Sequence, residues 1–454
     1  ILRNVYMNIR SQKKTYYLTT LLVTLLLTAC GAGQFFWVTT LTDNLALLDS
    51  KPALLDTVTD DAGYSYYINY DQPQGSAHLA SLNKLSPSGE QLWAVDITGI
   101  STTSDKATGT ISLNENVHIV IADNSNSQTH ITWGHLSPEG DILNIDQFSV
   151  QGSTHPSIYG LDELTSMLIY SEADGDNSVQ KLDVLSTNGK STILTSTSDS
   201  GLYGTLVANE QITARQYSGD SKSIVALDFT GAELWKYELA SETLINWLRD
   251  GDSLYLHYRD SSPDKKTTFV AVDIPSQSIT AQSNFDNITL KTVTNDHNIV
   301  FTRETYNDIS KKSAIFLGSL NTEGVIRWET ELTSTIADIS VGAISTNNAS
   351  EIALAISTFR GISVSDFEAD SLVRNSIYVL SPTSELLWSS HAQSIFHYWG
   401  DLGDVLIATK SSHYETMGIA LDDNGNLYSH GVLWKKSTMP SVSARTSYIG
   451  QIRP

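Results

Sequence analysis

The 454 residues include 11 His, 50 Asp and Glu, and a single Cys, Cys30. These groups set which chemistries are open to the chain. One thiol excludes an intrachain disulfide and any multi-cysteine zinc or iron–sulfur site. His130 with His135, and His391 with His397, are near enough in sequence to be considered as metal ligands. Neither pair has the i, i+4 spacing that sets two imidazoles on one helical face in a His-Glu-x-x-His site. Oxygen ligands suited to calcium occur at Asp60-Asp61, Glu172-Ala-Asp174-Gly-Asp176 and Asp422-Asp423-Asn424. Asp, Asn and Gly are also what tight turns require, and none of the three completes an EF-hand loop. No Gly-x-Ser-x-Gly elbow or phosphate-binding loop is present. The expectation is therefore a protein without catalytic residues, bound metal or cofactor.

Charge narrows the partners. Lys and Arg number 28 against 50 Asp and Glu, a net charge of −22, which repels a phosphate backbone and argues against nucleic acid. At 40% hydrophobic, with 20 Tyr and 9 Trp, the chain has ample material for a packed core.

The first thirty residues read as an address. Met7 is taken as the start, with 1–6 an upstream extension. Arg10, Lys13 and Lys14 precede an apolar run over 16–29. That run is short of the ~20 residues needed to cross ~30 Å of hydrocarbon, so 1–29 reads as a signal peptide rather than a transmembrane helix. It ends in Leu27-Thr28-Ala29-Cys30, which resembles the lipobox of bacterial lipoproteins. The resemblance implies cleavage before Cys30, a diacylglycerol on its thiol and an acyl chain, such as palmitate, on its new amine. Because the next residue is Gly31 rather than Asp, it further implies the outer membrane with the domain facing the periplasm; surface display is the alternative. Loss of 1–29 removes Arg3, Arg10, Lys13 and Lys14 and no acidic residue. The acidic mature body is then held at an anionic membrane by acyl chains rather than by charge. Residues 30–45 are expected to form a lipidated tether and 46–454 the folded domain.

The folded part repeats. Turns start at Ser86, Ser137, Ser186, Asp228, Asp273, Asn321, Ser381 and Asp422, at separations of 51, 49, 42, 45, 48, 60 and 41 residues. Four of them lead into a Trp: Trp93, Trp235, Trp328 and Trp388. A β-rich stretch lies about twenty residues before most of the turns. Ser253-Leu-Tyr-Leu-His-Tyr258 shows the period of two that marks a strand. One period parses as strands at 53–58, 64–70, 77–85 and 91–97. A lone four-stranded sheet leaves apolar faces open, whereas a ring of such sheets buries each against a neighbour. The prediction is all-β: a single eight-bladed β-propeller of four-stranded antiparallel blades, with seven blades as the alternative. The four Trp are expected to open outer strands and pack between blades. Trp37 and its neighbours, or 448–452, are the candidates for a sealing strand.

Residues Ala226-Leu-Asp228-Phe-Thr230-Gly231-Ala-Glu-Leu-Trp235 resemble the tryptophan-docking repeat of pyrroloquinoline-quinone-type propellers, although the turn is one residue shorter and only four of eight copies keep the Trp. The resemblance implies eight blades. Within that group the chain is similar to the lipoprotein of the outer-membrane β-barrel assembly machinery, which implies a monomeric, cofactor-free scaffold docking on a periplasmic domain of the barrel insertase. Two alternatives stand beside it. One is a quinone-dependent dehydrogenase, whose family uses a calcium-bound quinone and, in many members, adjacent cysteines, here lacking. The other is a propeller binding a small ligand.

One repeat is long. Its excess, near 359–374, carries Asp366, Phe367, Glu368 and Asp370, an acidic segment with one aromatic anchor and the candidate partner-binding loop. Deleting 362–372 is expected to leave the thermal unfolding midpoint unchanged while lowering partner capture from crosslinked envelopes; unchanged capture would remove the loop from consideration.

Overall fold

Alternation along each second strand is what builds the molecule. In Val117–Asn124 every residue is buried, because the sheet lies between two others. Ile119 and Ile121 pack with Tyr66 and Ile68 of the preceding sheet, while Val120 and Ala122 pack with Leu168 and Tyr170 of the following one. The pattern recurs: Leu254 and Leu256 join one cluster, Tyr255 the next; Ile352 and Leu354 join one, Ala353 and Ala355 the next. A strand's period of two thus sorts side chains into two inter-sheet layers, and each fully buried aliphatic contributes roughly 1.5–3 kcal/mol.

A computed structural model describes residues 34–40 and 54–453, apart from 72–78, 98–106, 260–265, 360–373, 392–411, 437–442 and shorter stretches of up to four residues. Eight four-stranded antiparallel sheets stand in a ring, so the chain is an eight-bladed β-propeller. Blades 1 to 7 are meanders over 54–97, 107–151, 157–195, 200–238, 243–286, 288–335 and 338–391. First strands meet around the centre: Ile158 and Gly160 donate backbone N–H groups to Thr110 and Ser112, and Leu421 donates to Ser345.

Blade 8 joins the two ends of the described chain. Ser412–Leu421, Leu427–Lys436 and Ser443–Arg453 supply three strands, and Gln34–Thr40 adds the fourth, antiparallel, with Gln34 opposite Arg453 and Thr40 opposite Tyr448. Both candidate sealing segments are therefore used, one against the other. Residues 34–40, which the sequence assigns to the tether, belong to the ring, because the open edge of Ser443–Arg453 needs a partner for its backbone groups. The seam to blade 1 is closed by Tyr67, Leu85 and Ile449 and by the N–H of Asp423 on the carbonyl of Asp61 at 3.4 Å. A small cavity of about 150 Å³ remains there, lined by residues including Thr57, Tyr428 and His430.

The seven earlier repeat turns join third to fourth strands. The eighth, Asp422-Asp-Asn-Gly425, instead joins the first two strands of blade 8, since the N-terminal strand takes the fourth place. It belongs with Asp60–Gly63, Thr294–His297 and Asn347–Ser350, which close with the same backbone bond between first and fourth residues and the same positive φ at the fourth. The stretch 404–410, expected as a strand, lies outside the described residues.

In the turn of blade 7 the fourth position is Ser384, at φ 75°, where four sister turns of the same class have Gly. Ser384→Gly is expected to raise stability by about 1 kcal/mol in urea denaturation, because a left-handed conformation penalises a Cβ.

Candidate functional site

Each Trp of the repeat is the third residue of a fourth strand, and it reaches across to the next blade. Trp93 Nε1 donates to the carbonyl of Pro138 at 3.1 Å. Its ring lies against Gly140, where a Cβ would come within 2.9 Å of the indole. Trp328 makes the same bond to Pro382 at 2.9 Å. Trp235 packs with Ile274 of the following turn but its indole N–H finds no acceptor. Trp388 is buried with Leu421, Leu427 and Ile452 of the closing blade. Where the Trp is missing the contact persists in smaller form, as with the carbonyl of Ile193 against Gly231.

The same geometry leaves the start of each fourth strand open to solvent. Leu92, Leu234 and Leu387, each just before a Trp, are 47%, 48% and 43% exposed. Leu143 and Ile279 hold the equivalent place in blades 2 and 5, and Ile142, Val325, Ile326 and Leu386 lie within two residues of it. Among the residues whose side chains are described, these nine are the large apolar ones that are exposed. They follow third-to-fourth turns, which in a meander lie at the same end as the first-to-second turns. Six of eight blades contribute, so one end of the propeller carries an aliphatic band.

That end is also acidic. Exposed carboxylates sit beside the band at Glu90, Glu139, Glu233, Glu323 and Glu385, and nearer the centre at Asp61, Glu115, Asp162, Glu163 and Asp423. Glu163 shares a hydrogen bond with Glu115 and feels its charge, which holds the Glu163 carboxyl above its ordinary value. Basic side chains there bond within the propeller. Lys190 pairs with Asp183 at 3.1 Å and lies 4.3 Å over the Phe148 ring; Arg249 bonds Thr213 and Gln211; His297 pairs with Asp250 at 2.6 Å; Lys84 bonds the Pro138 carbonyl. The inner turns are stitched together by side-chain amides: Asn116 to the Glu163 carbonyl at 2.8 Å, and Asn348 to Asp423 Oδ2 at 2.8 Å.

Of the histidines considered as ligands, His130 and His135 do not converge. Five residues apart on one strand, His130 and His135 point to opposite faces. His130 is exposed and bonds Ser149 at 2.7 Å, whereas His135 is fully buried. His391 ends the last strand of blade 7, and His397 lies outside the described residues, as do Cys30, Asp366, Phe367, Glu368, Asp370 and Asp176. In the Asp-rich turns Asp422, Asp60 and Glu172 use their oxygens internally. Asp422 Oδ1 accepts from the backbone of Asn424 and Asn426, and its Oδ2 from the Asn426 amide. Asp60 accepts from Tyr64, and Glu172 pairs with Lys181.

Sequence reasoning missed a buried cluster between blades 2 and 3. Ser166 Oγ lies 2.7 Å from His118 Nδ1 and 2.8 Å from His135 Nε2, and all three residues are fully buried. His118 Nε2 is 3.4 Å from Asn114 Oδ1. Only one proton arrangement serves all of these: His118 carries its proton on Nε2, Ser166 donates to His118 Nδ1, and His135 donates from Nε2 to Ser166. The unpartnered His135 Nδ1 is then a bare lone pair. The lone polar letters His118 and Ser166 inside apolar strands were the only available sign.

No protein-family model matches the sequence, and no curated protein matches it. Among solved structures the chain is similar to a prolyl endopeptidase, at 11% identity over 86% of this chain and 55% of that one, with a TM-score of 0.48. It is likewise similar to a europium-containing methanol dehydrogenase, at 8% identity over 92% of each chain and 0.44. A third is the β-propeller domain of the trilobed protease from Pyrococcus furiosus, at 9% identity over 75% of this chain and 97% of that one and 0.42. The chain spans about half the length of the prolyl endopeptidase. At such identities the likeness concerns architecture alone.

Burial lowers His118, His135, His257 and His430 from 6.5 to about 4. Between those values the unfolded chain binds more protons, so the stability these neutral rings contribute is complete above about pH 6.5 and drains away as pH falls towards 4, by up to about 3 kcal/mol per ring. Asp56, raised by burial, works in the opposite direction. Urea unfolding is expected to show stability falling from pH 7 to pH 4.5, with a shallower slope in His257→Leu. That variant should also be more stable at pH 7, since neither ring nitrogen of His257 has a partner.

Proposed function

We propose that this protein is an outer-membrane lipoprotein whose propeller faces the periplasm as a protein-interaction scaffold in outer-membrane protein assembly. The observation that carries the reading is the set of nine exposed aliphatic side chains which, among the described side chains, all follow turns at one end of the ring. Isolated surface apolar residues need no explanation, but a band collected at one end is what a docking surface requires. The turns that carry it are fixed by Trp packing and amide bonds, so binding would not have to order them.

Chain length supports the address. Gln34 begins the fourth strand of blade 8 at the turn end, opposite Arg453, and Cys30 lies four residues earlier. At ~3.5 Å per extended residue, a lipid on Cys30 would hold the membrane within ~14 Å of this edge. Little slack would remain between anchor and propeller.

Mass spectrometry of the chain from outer-membrane fractions is expected to find an acylated N-terminal Cys30, and Cys30→Ser to release the protein into the periplasmic fraction. Crosslinked envelopes should enrich the barrel insertase with the intact chain. An unacylated N-terminus would overturn the address, and crosslinks that never include the insertase would overturn the assembly role.

A further inference from the structure

We infer that the turn end binds a cationic protein surface bearing apolar side chains; this rests on the scaffold reading and specifies the chemistry of its partner. The apolar component is the aliphatic band, represented by Leu234, Ile279 and Val325, each about half exposed. The charge component is the surrounding excess of exposed carboxylates, with Glu90, Glu233 and Glu385 directly beside the band. Neighbouring Lys84, Lys190, Arg249 and Arg327 keep their charges, but among the described residues the exposed carboxylates of this end outnumber them, so its net charge is negative. Glu115 crowds Glu163 and holds its carboxyl above the ordinary value, a repulsion that an incoming Lys or Arg relieves.

A bilayer is the competing occupant, because the anchor strand begins at this end. Its interior would accept the aliphatic side chains, but anionic head groups would repel the carboxylates, and per residue the two effects are of similar size. On a cationic protein surface they act together. Charge therefore decides for protein. It also sets a kinetic expectation, since complementary potentials raise the association rate and make it fall with salt.

The test uses the full mature chain carrying Cys30→Ser, immobilised for binding measurements. Probes are a Leu/Lys amphipathic peptide, its Leu/Gln analogue, and vesicles of phosphatidylethanolamine with and without phosphatidylglycerol. Three variants are compared: Leu234→Ser/Ile279→Ser/Val325→Ser, Glu90→Gln/Glu233→Gln/Glu385→Gln, and the far-end control Asp96→Asn/Asp286→Asn, each with unfolding midpoints checked. The Leu/Lys peptide should bind at least tenfold more tightly than the Leu/Gln analogue. Both turn-end variants should weaken it at least tenfold, the control should leave it unchanged, and vesicles should not bind. Equal loss in the control would reduce the effect to overall charge. Vesicle binding abolished by the Ser variant would assign the band to lipid. Either result overturns this inference, whereas an insertase crosslink mapping to the opposite end would overturn it and leave the scaffold reading standing.

Discussion

A four-stranded sheet with apolar side chains on both faces is stable only when a neighbour covers each face, and eight sheets supply two neighbours to every one only if the last meets the first. Pairing between Gln34–Thr40 and Ser443–Arg453 therefore governs the whole ring. Without that fourth strand, blade 8 presents an open edge and its contact with blade 1 through Tyr67, Leu85 and Ile449 loses support. The Trp docking contacts repeat the same logic locally, each binding one blade's outer strand to the next blade's turn.

Buried polarity is concentrated where blades meet. Ser166 between two neutral imidazoles, and Asn116 and Asn347 on turn carbonyls, are bonds that hold only in one alignment of adjacent sheets. Apolar layers tolerate sliding; a hydroxyl poised between two ring nitrogens does not. These bonds add little net stability each, but they fix the relative height of neighbouring blades, and so keep the turns level enough to form one surface.

Much of the architecture was legible. The period of the turns and the alternation in Ser253-Leu-Tyr-Leu-His-Tyr258 gave the blade count, and the strands parsed for blade 1 differ from those observed by at most two residues at any end. The last blade was not read correctly, because Asp422-Asp-Asn-Gly425 has the same four-residue chemistry as turns at two different places in a blade, and no local pattern distinguishes them. The segments around Trp37 and 448–452 stood out only as alternative sealing strands, since no local pattern shows that two segments so far apart in sequence pair with each other. The aliphatic band was hidden for another reason: Leu92 and Leu234 sit in strands, beside a docking Trp, where apolar letters are ordinarily taken as core. Only exposure separates them from it.

The strand Gln34–Thr40 has a further consequence for assembly in time. It is made before every other strand of the ring, yet its partner, Ser443–Arg453, is the last to be synthesised. The earliest strand must wait for the latest, a pairing of the greatest possible sequence separation and hence a slow one. A chain interrupted before Ser443 would leave the edge of Gln34–Thr40 unmated. Completion of the ring is thus checked by its first and last strands.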